Sequence, residues 1–247
     1  MKHSEGQGKK VGGRVAAATG RTCVGGAVQR YRASVWFAVR GDARFLSHRD
    51  TLRTWERALR RSRAPLRYSQ GFNPHVRMSL PLPRSVGMSS QRELLVVELN
   101  QSLAEGDWCK RLCRVAPPGL EVLGVEAADV HAPLNAPEEV SYRVRLGEEV
   151  ELDRLDERIK ELEAAAEWLI ERPRRGRHPA RTIDLCEHVR ALRREGCWLG
   201  CTILTGPGGT ARMDEVLAAL ALGGPGVSVE VERVGATYPA ALGAGPS

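Results

Sequence analysis

Long hydrophobic runs are absent from this sequence of 247 residues. The apolar stretches are short, such as residues 94–97, whereas a membrane-spanning helix needs about 20 consecutive apolar residues. The beginning of the sequence is basic, but it has no continuous apolar stretch of the kind found in secretory signals. These absences argue against a membrane span and against secretion, so we expect a cytoplasmic protein that has no membrane partner.

Cysteine is scarce, and its spacing fits no common metal site. Two pairs, Cys109 with Cys113 and Cys197 with Cys201, are separated by three residues, whereas zinc knuckles usually have two. An iron–sulfur motif of the form C-x3-C-x2-C would need a third cysteine where Ala116 stands. In a strand, Cys197 and Cys201 would lie about 13 Å apart, too far to share one metal ion. We therefore expect reduced, buried, structural thiols and no cofactor bound by this chain; a four-cysteine zinc site is the alternative.

Lysine is rare in comparison with arginine, and the arginines are concentrated in one part of this basic protein, whose formal net charge is +7. Between Arg40 and Arg84 there are eleven arginines, no lysine and only three acidic residues. Residues 138–167 are rich in acidic residues instead. Positive charge concentrated in one part of a fold is typical of proteins that bind RNA or another polyanion. The alternative explanation is a genome whose codon usage favours arginine.

The pattern of apolar residues predicts an α+β fold made of two tandem ferredoxin-like halves. In the first half, strand and helix patterns alternate in the order β-α-β-β-α-β, which is the ferredoxin-like order. Residues 127–137 contain two prolines and form the predicted linker, after which the order loosely repeats. The second half is irregular, because the segment 186–194 looks like an addition to this repeat.

These patterns divide the chain into four predicted regions. Residues 1–30 are rich in Gly, Ala, Lys and Arg and lack periodicity, so we expect a disordered basic arm. Residues 31–128 form the first ferredoxin-like half and residues 138–238 the second. Residues 239–247 are expected to be a flexible tail.

The first predicted helix combines a clear start with an arginine-rich face. Ser47 followed three residues later by Asp50 is a variant of the capping box. Trp55 and Leu59 recur at helical spacing and belong to its apolar face. A helix start also binds anions, so capping alone, anion binding and proton transfer by a histidine all remain open. The candidate ligand-binding residues of this helix are Ser47, His48, Arg49, Arg53, Arg57 and Arg60, and the catalytic candidates are His48, Asp50 and His75.

A polar loop with the sequence Tyr-Ser-Gln-Gly-Phe-Asn-Pro-His follows at residues 68–75. Tyr68 and Phe72 offer stacking surfaces, and Gln70, Asn73 and His75 offer hydrogen-bonding groups. Single-stranded RNA is recognised by this combination of aromatic faces and polar side chains. The alternative is a rigid Asn-Pro turn in which Phe72 is the core anchor.

Four segments carry a resemblance to a known family: Arg44-Phe-Leu-Ser-His-Arg-Asp, Glu56-Arg-Ala-Leu-Arg-Arg, Tyr68-Ser-Gln-Gly-Phe-Asn-Pro-His and Ser79-Leu-Pro-Leu-Pro. In this order and spacing they closely resemble the radical-SAM-linked family of proteins, of which this chain looks like a free-standing member. The resemblance is strongest over roughly residues 35–123. It implies an accessory role beside a radical-SAM, cobalamin-binding partner protein and, by association with RNA-related genes, an RNA substrate. Because the cluster-binding cysteine motif is absent, the chain is not expected to be a radical enzyme itself.

Our leading hypothesis is an accessory module that binds RNA or another polyanion for a radical-SAM partner. One alternative is a metal-independent RNA-processing enzyme in which His48 and His75 act as acid and base. Another is a protein-only scaffold, for which the acidic helix at residues 152–166 is either a solvated face or a docking surface for a basic partner. We also predict that the helix start at 47–50 and the loop at 69–75 form one pocket, because both should emerge at the C-terminal ends of neighbouring parallel strands.

Overall fold

A computed structural model of the chain describes residues 30–134, 136–173, 180–206, 209–224, 226–243 and 245. The predicted basic arm therefore lies, apart from Arg30, outside the described residues. Within the described ranges, no helix is long and apolar enough to cross a membrane.

The first half is a four-stranded antiparallel arrangement with two helices. Its elements are β1 (Tyr31–Val39), α1 (His48–Arg61), β2 (Met78–Ser79), β3 (Ser89–Leu99), α2 (Glu105–Val115) and β4 (Leu120–Ala128). Strand β3 pairs antiparallel with β1 on one side and with β2 on the other, and β4 pairs antiparallel with β1. Strands β1 and β2 are thus parallel with β3 between them, which is the split β-α-β arrangement of a ferredoxin-like fold.

The second half repeats this arrangement with an insertion. Its elements are β5 (Glu139–Leu146), α3 (Leu152–Ala164), β6 (Leu169–Arg172), β7 (Arg181–Asp184), α4 (Leu185–His188), β8 (Val189–Glu195), β9 (Trp198–Gly206), β10 (Gly209–Thr210), α5 (Met213–Ala219) and β11 (Val229–Thr237). Strand β5 lies between β11 and β9, β9 also pairs with β8, and all three pairings are antiparallel. The order β5-α3-β8-β9-α5-β11 therefore matches the first half, and the predicted α+β class with two ferredoxin-like halves is confirmed.

The irregularity of the second half was assigned to the wrong segment. Residues 186–194, interpreted as an addition, contain most of β8, which takes the place that β2 has in the first half. The addition is the β6–β7 hairpin, which forms a separate two-stranded sheet. Strand β8 is a charged edge strand in which only Leu192 is buried, so its sequence lacks a continuous apolar face.

The two halves share one nine-stranded sheet. Strand β11 runs parallel to β3 through the pairs Glu232 with Ser89 and Arg233 with Ser90. Two strands therefore pair with the same edge of β3. Strand β11 pairs with the beginning of β3, and β2 pairs with Val96 and Val97 nearer its end.

Each half has its own apolar core. In the first half, Trp55 and Leu59 of α1 and Trp108 of α2 are fully buried against one face of β1 and β3. Trp55 meets Phe37 of β1 edge to face, with ring centroids 4.9 Å apart. Helices α3 and α5 pack in the same way on β5 and β9. The apolar face predicted for the first helix is therefore the face that α1 buries.

The opposite face of β1 and β3 is covered by segments expected to be irregular. Ala132 of the predicted linker and Leu242 of the predicted tail pack against Trp36, Leu94 and Val96. Leu242 is fully buried, and its carbonyl accepts a hydrogen bond from Ser34 of β1. The linker and the described part of the tail thus pack on the sheet of the first half and form part of its core.

Candidate nucleic-acid interface

The start of α1 is capped by its own side chains. The Ser47 hydroxyl accepts a hydrogen bond from the Asp50 backbone N–H (3.2 Å) and donates one to the Asp50 carboxylate (2.6 Å). The Asp50 carboxylate also supplies the negative charge that the helix dipole favours at this end. Capping, one of the interpretations left open by the sequence, is therefore present.

His48 is the first residue of α1 and lines a cavity of only about 10 Å³. Thr51, Leu80, Arg84 and Glu93 contribute to the lining of this cavity. A space of this size holds at most one water molecule, so it offers no room for a phosphate group.

The four arginines of the predicted face of α1, Arg49, Arg53, Arg57 and Arg60, are exposed, and their charge is only partly neutralised by the protein. Arg53 lies 3.6 Å from the Asp50 carboxylate, and Arg60 pairs with Glu56 at 2.6 Å. Along the described part of the chain, no carboxylate lies within 4.0 Å of the guanidinium group of Arg49 or Arg57. The predicted arginine face is thus directed to solvent and keeps excess positive charge.

The polar loop lies before strand β2 instead of following it. Before the loop, Leu66 bridges to Leu99 of β3; after it, Met78 pairs with Val97, so both flanks run along the same strand. The base of the loop is closed by a bridge between Tyr68 and Val76. Residues 69–75 therefore project from the sheet edge at the beginning of β2, whereas the sequence predicted a complete strand before the loop.

All the predicted binding residues of the loop are accessible. The Phe72 side chain is fully exposed, which excludes the alternative in which it anchors the loop in the core. Gln70, Asn73 and His75 are also exposed. Tyr68 is partly exposed, and the guanidinium of Arg60 lies 5.6 Å from its ring centroid, as in a cation–π contact.

Glu56 joins α1 to the loop, and sequence reasoning did not identify it. Its carboxylate accepts hydrogen bonds from Arg60 (2.6 Å) and from the backbone N–H of Val76 (3.4 Å), and it lies 3.7 Å from Nδ1 of His75. The available signal was that Glu56 is the one acidic residue between Arg53 and Arg84.

His48 and His75 do not share a pocket. His75 lies beside Glu56, which is eight residues along α1 from His48, or about 12 Å along the helix axis. The two histidines also line different cavities. The one-pocket prediction is wrong because the loop leaves the sheet at the beginning of β2, at the opposite end from the start of α1.

The described cysteines are only partly buried. Cys113 and Cys197 are exposed, Cys109 and Cys186 are half-buried, and Cys201 is buried. The prediction of buried thiols is therefore right for Cys201 and wrong for Cys113 and Cys197. Cys197 is exposed because it lies in the turn before β9 rather than in the strand. The burial of Cys201 raises the pKa of its thiol to about 12.

The protein is an α+β protein whose two ferredoxin-like halves share one sheet. Its distinguishing surface is an exposed arginine helix beside a projecting aromatic loop. The chain belongs to the family described as "uncharacterized protein conserved in bacteria (DUF2344)", whose model matches residues 31–215. This description names no radical-SAM partner, so that link belongs to the proposal below. No curated protein matches the chain.

Solved structures resemble the chain at low identity. One is a crystal structure of a Cbf5-Nop10-Gar1 complex, at 13% identity and a TM-score of 0.43, in which the match covers 83% of this chain and 48% of that chain. Another is an unknown protein from Galdieria sulphuraria, at 13% identity and a TM-score of 0.22, with 84% and 100% covered. The chain thus spans about half the length of the first of these proteins.

Proposed function

We propose that this protein is an accessory module that binds single-stranded RNA, or a similar polyanion, for a partner enzyme. The contact surface, called here the basic–aromatic surface, consists of Arg49, Arg53, Arg57, Arg60, Tyr68, Gln70, Phe72, Asn73 and His75. The observation that carries the proposal is the fully exposed Phe72 beside a helix face of four exposed arginines.

Neither feature is explained by the stability of the fold. Like charges three or four residues apart on a helix oppose each other by about 0.2–0.5 kcal/mol per pair. An exposed phenylalanine at a loop tip buries no apolar area in the free protein. Phosphates remove the repulsion between the arginines, and an unpaired base stacks on an aromatic ring, so a single-stranded nucleic acid matches both features.

The partner in this proposal is a radical-SAM protein of the cobalamin-binding type, as the resemblance implies. A groove of about 480 Å³ lies between α3 and the segment that follows α5. Its floor includes Leu155 and Leu222, and four glutamates are among its lining residues: Glu149, Glu151, Glu157 and Glu161. Arg154 and Arg158 also line the groove and pair with Glu151 and Glu161, which leaves an excess of two negative charges. This excess favours a second candidate function, a scaffold that docks a basic segment of another protein.

Independent catalysis is not part of the proposal. The acid–base alternative needs His48 and His75 within reach of one substrate group, but His75 lies beside Glu56, about 12 Å along α1 from His48.

The salt dependence of RNA binding tests the proposal. We expect the double variant R53Q/R57Q to reduce the slope of log K against log salt by about 1.4, since each single-strand phosphate contact contributes about 0.7. The matched control is R111Q/R114Q, which removes the same charge from exposed positions on α2. The slopes can be measured by fluorescence anisotropy with a labelled single-stranded RNA. Equal slopes in the wild type and both variants would show that the arginine face of α1 is only solvated.

A further inference from the structure

A second cavity lies at the base of the loop, on the side away from α1. Its volume is about 380 Å³, within the range of about 300–1,000 Å³ that is usual for small-molecule sites. It has an apolar part, to which Met78, Val96 and Leu134 contribute. Its polar lining residues include Arg32, Ser69, His75, Arg77, Ser79 and Glu98.

The charge of this cavity is positive although it contains one carboxylate. Glu98 lies 3.0 Å from Nε of Arg77 and 3.6 Å from Nε of Arg67, so two arginines share its single negative charge. Arg32 adds a further positive charge. Its Nη1 donates to the carbonyls of Asp129 (3.0 Å) and Ala132 (2.6 Å), which fixes the guanidinium group against the cavity.

Two hydrogen-bond donors of this cluster are unsatisfied. Nε of Arg32 and Nη1 of Arg67 are buried, and neither has an acceptor in the part of the chain that the structure describes. Buried donors without acceptors are uncommon in folded proteins and call for an explanation, such as a ligand or an ordered water. Both nitrogens are closed off from the cavity, and Arg67 does not line it, so the feature that an anionic ligand would match is the positive charge of Arg32 and Arg77 at its wall.

We infer that this cavity is a nucleotide subsite that holds one unpaired nucleotide of the bound strand. The phosphate lies between His75 and Arg77, and the base packs on Val96 and Leu134, on the face of the sheet opposite α1. The inference rests on the proposed function and extends it, because His75 both lines the cavity and belongs to the basic–aromatic surface. A strand that crosses α1 and stacks on Phe72 would enter the cavity past this histidine.

Binding of adenosine 5′-monophosphate, with inorganic phosphate and adenosine as separate probes, tests the inference. By isothermal titration calorimetry we expect the nucleotide to bind more tightly than either part alone, because phosphate and base contact different walls of the cavity. R77Q and H75Q should each weaken nucleotide binding by about tenfold, the effect of losing one charge-assisted hydrogen bond. R111Q on α2 is the control of equal charge and should have no effect.

The outcomes separate this inference from the proposed function. If RNA binds with the expected salt slopes but the nucleotide does not bind, or binds R77Q and H75Q as well as the wild type, the subsite is wrong and the proposed function stands. If unlabelled RNA fails to displace the nucleotide, the cavity is a separate site for free nucleotides and the inference is equally wrong. Nucleotide binding without any RNA binding would instead refute the proposed function.

Discussion

Phe72 is the single residue that bears most directly on the proposed function. An exposed loop is free to place a polar residue at its tip, but this loop places its largest apolar side chain there, with Gly71 before it at a φ of 133°. Such a backbone conformation favours glycine, and it lets the chain turn sharply just before the ring. The proposed role of Phe72 is therefore a stacking platform whose position is fixed by the closed base of the loop.

F72A is expected to weaken binding of single-stranded RNA by about 1–3 kcal/mol, the usual contribution of one base–aromatic stack. The same variant should leave the melting temperature unchanged, because the ring contributes nothing to the core. F45A is the matched control, since Phe45 is also well exposed but lies just before the start of α1, away from the loop. Anisotropy titrations that give the same loss of affinity for both variants would contradict the stacking role.

At the scale of single elements, the features predicted correctly from the sequence are those that depend on interactions between residues close together in the chain. Helix α1 begins where Ser47 and Asp50 indicated, because a cap is a local interaction and Trp55 and Leu59 mark the buried face. Two features depend on partners distant in sequence and were missed. Strand β8 is charged and forms only because β9 pairs with it, and the loop projects before β2 because both of its flanks pair with β3. The exposed arginine face of α1 could be predicted from helical periodicity, whereas the separation of His48 from His75 required the strand register.

The inserted β6–β7 hairpin is attached to α5 by one ion pair. Nε and Nη2 of Arg172 each donate to a different oxygen of Glu215, both at 2.7 Å. Burial is the largest single influence and raises the pKa of Glu215, but the hydrogen bonds from the Arg172 side chain and the Arg212 backbone N–H, with the charges of both arginines, together lower it below the ordinary value of 4.5. A carboxylate with a lowered pKa stabilises the fold above the pKa it has when unfolded, and this contribution is lost as the pH falls through the folded pKa.

E215Q is accordingly expected to lower the free energy of unfolding by about 1–3 kcal/mol at neutral pH, the usual range for hydrogen bonds to charged groups. The difference from the wild type should shrink as the pH falls below 4.5 and through the lowered pKa of the folded state, where the wild-type side chain becomes neutral. Hydrogen exchange should locate the loosening in the described strands of the hairpin. E187Q, on the exposed surface of α4, is the control. If the stability difference between E215Q and the wild type did not change with pH, the ion-pair explanation would be contradicted.

At the scale of the whole molecule, a buried ion pair joins the two halves. Arg233 of β11 donates to both carboxylate oxygens of Glu93 of β3, at 2.8 and 3.0 Å, and to the carbonyl of Pro83 at 2.9 Å. Both charged side chains are almost completely buried. Tyr142 and Tyr238 lie in the same cluster, and burial raises the pKa of both phenols, so they remain neutral beside the pair. Strands β11 and β3 pair directly through two residue pairs, and Glu232 of β11 also accepts hydrogen bonds from Arg40 and Gln91 of the first half.

E93Q is expected to lower the free energy of unfolding by about 3–5 kcal/mol, because it leaves the Arg233 charge buried without its counter-ion. The double variant E93L/R233M should recover much of that loss, since an apolar pair needs no compensation inside the protein. E230Q is the matched control on the same strand: its exposed partner Arg145 lies 4.0 Å away, and an exposed pair contributes at most about 1 kcal/mol. Urea unfolding followed by circular dichroism measures all three variants. If E93Q loses no more stability than E230Q, the halves are held together by the shared sheet and its apolar contacts, and the buried pair is not what fixes their arrangement.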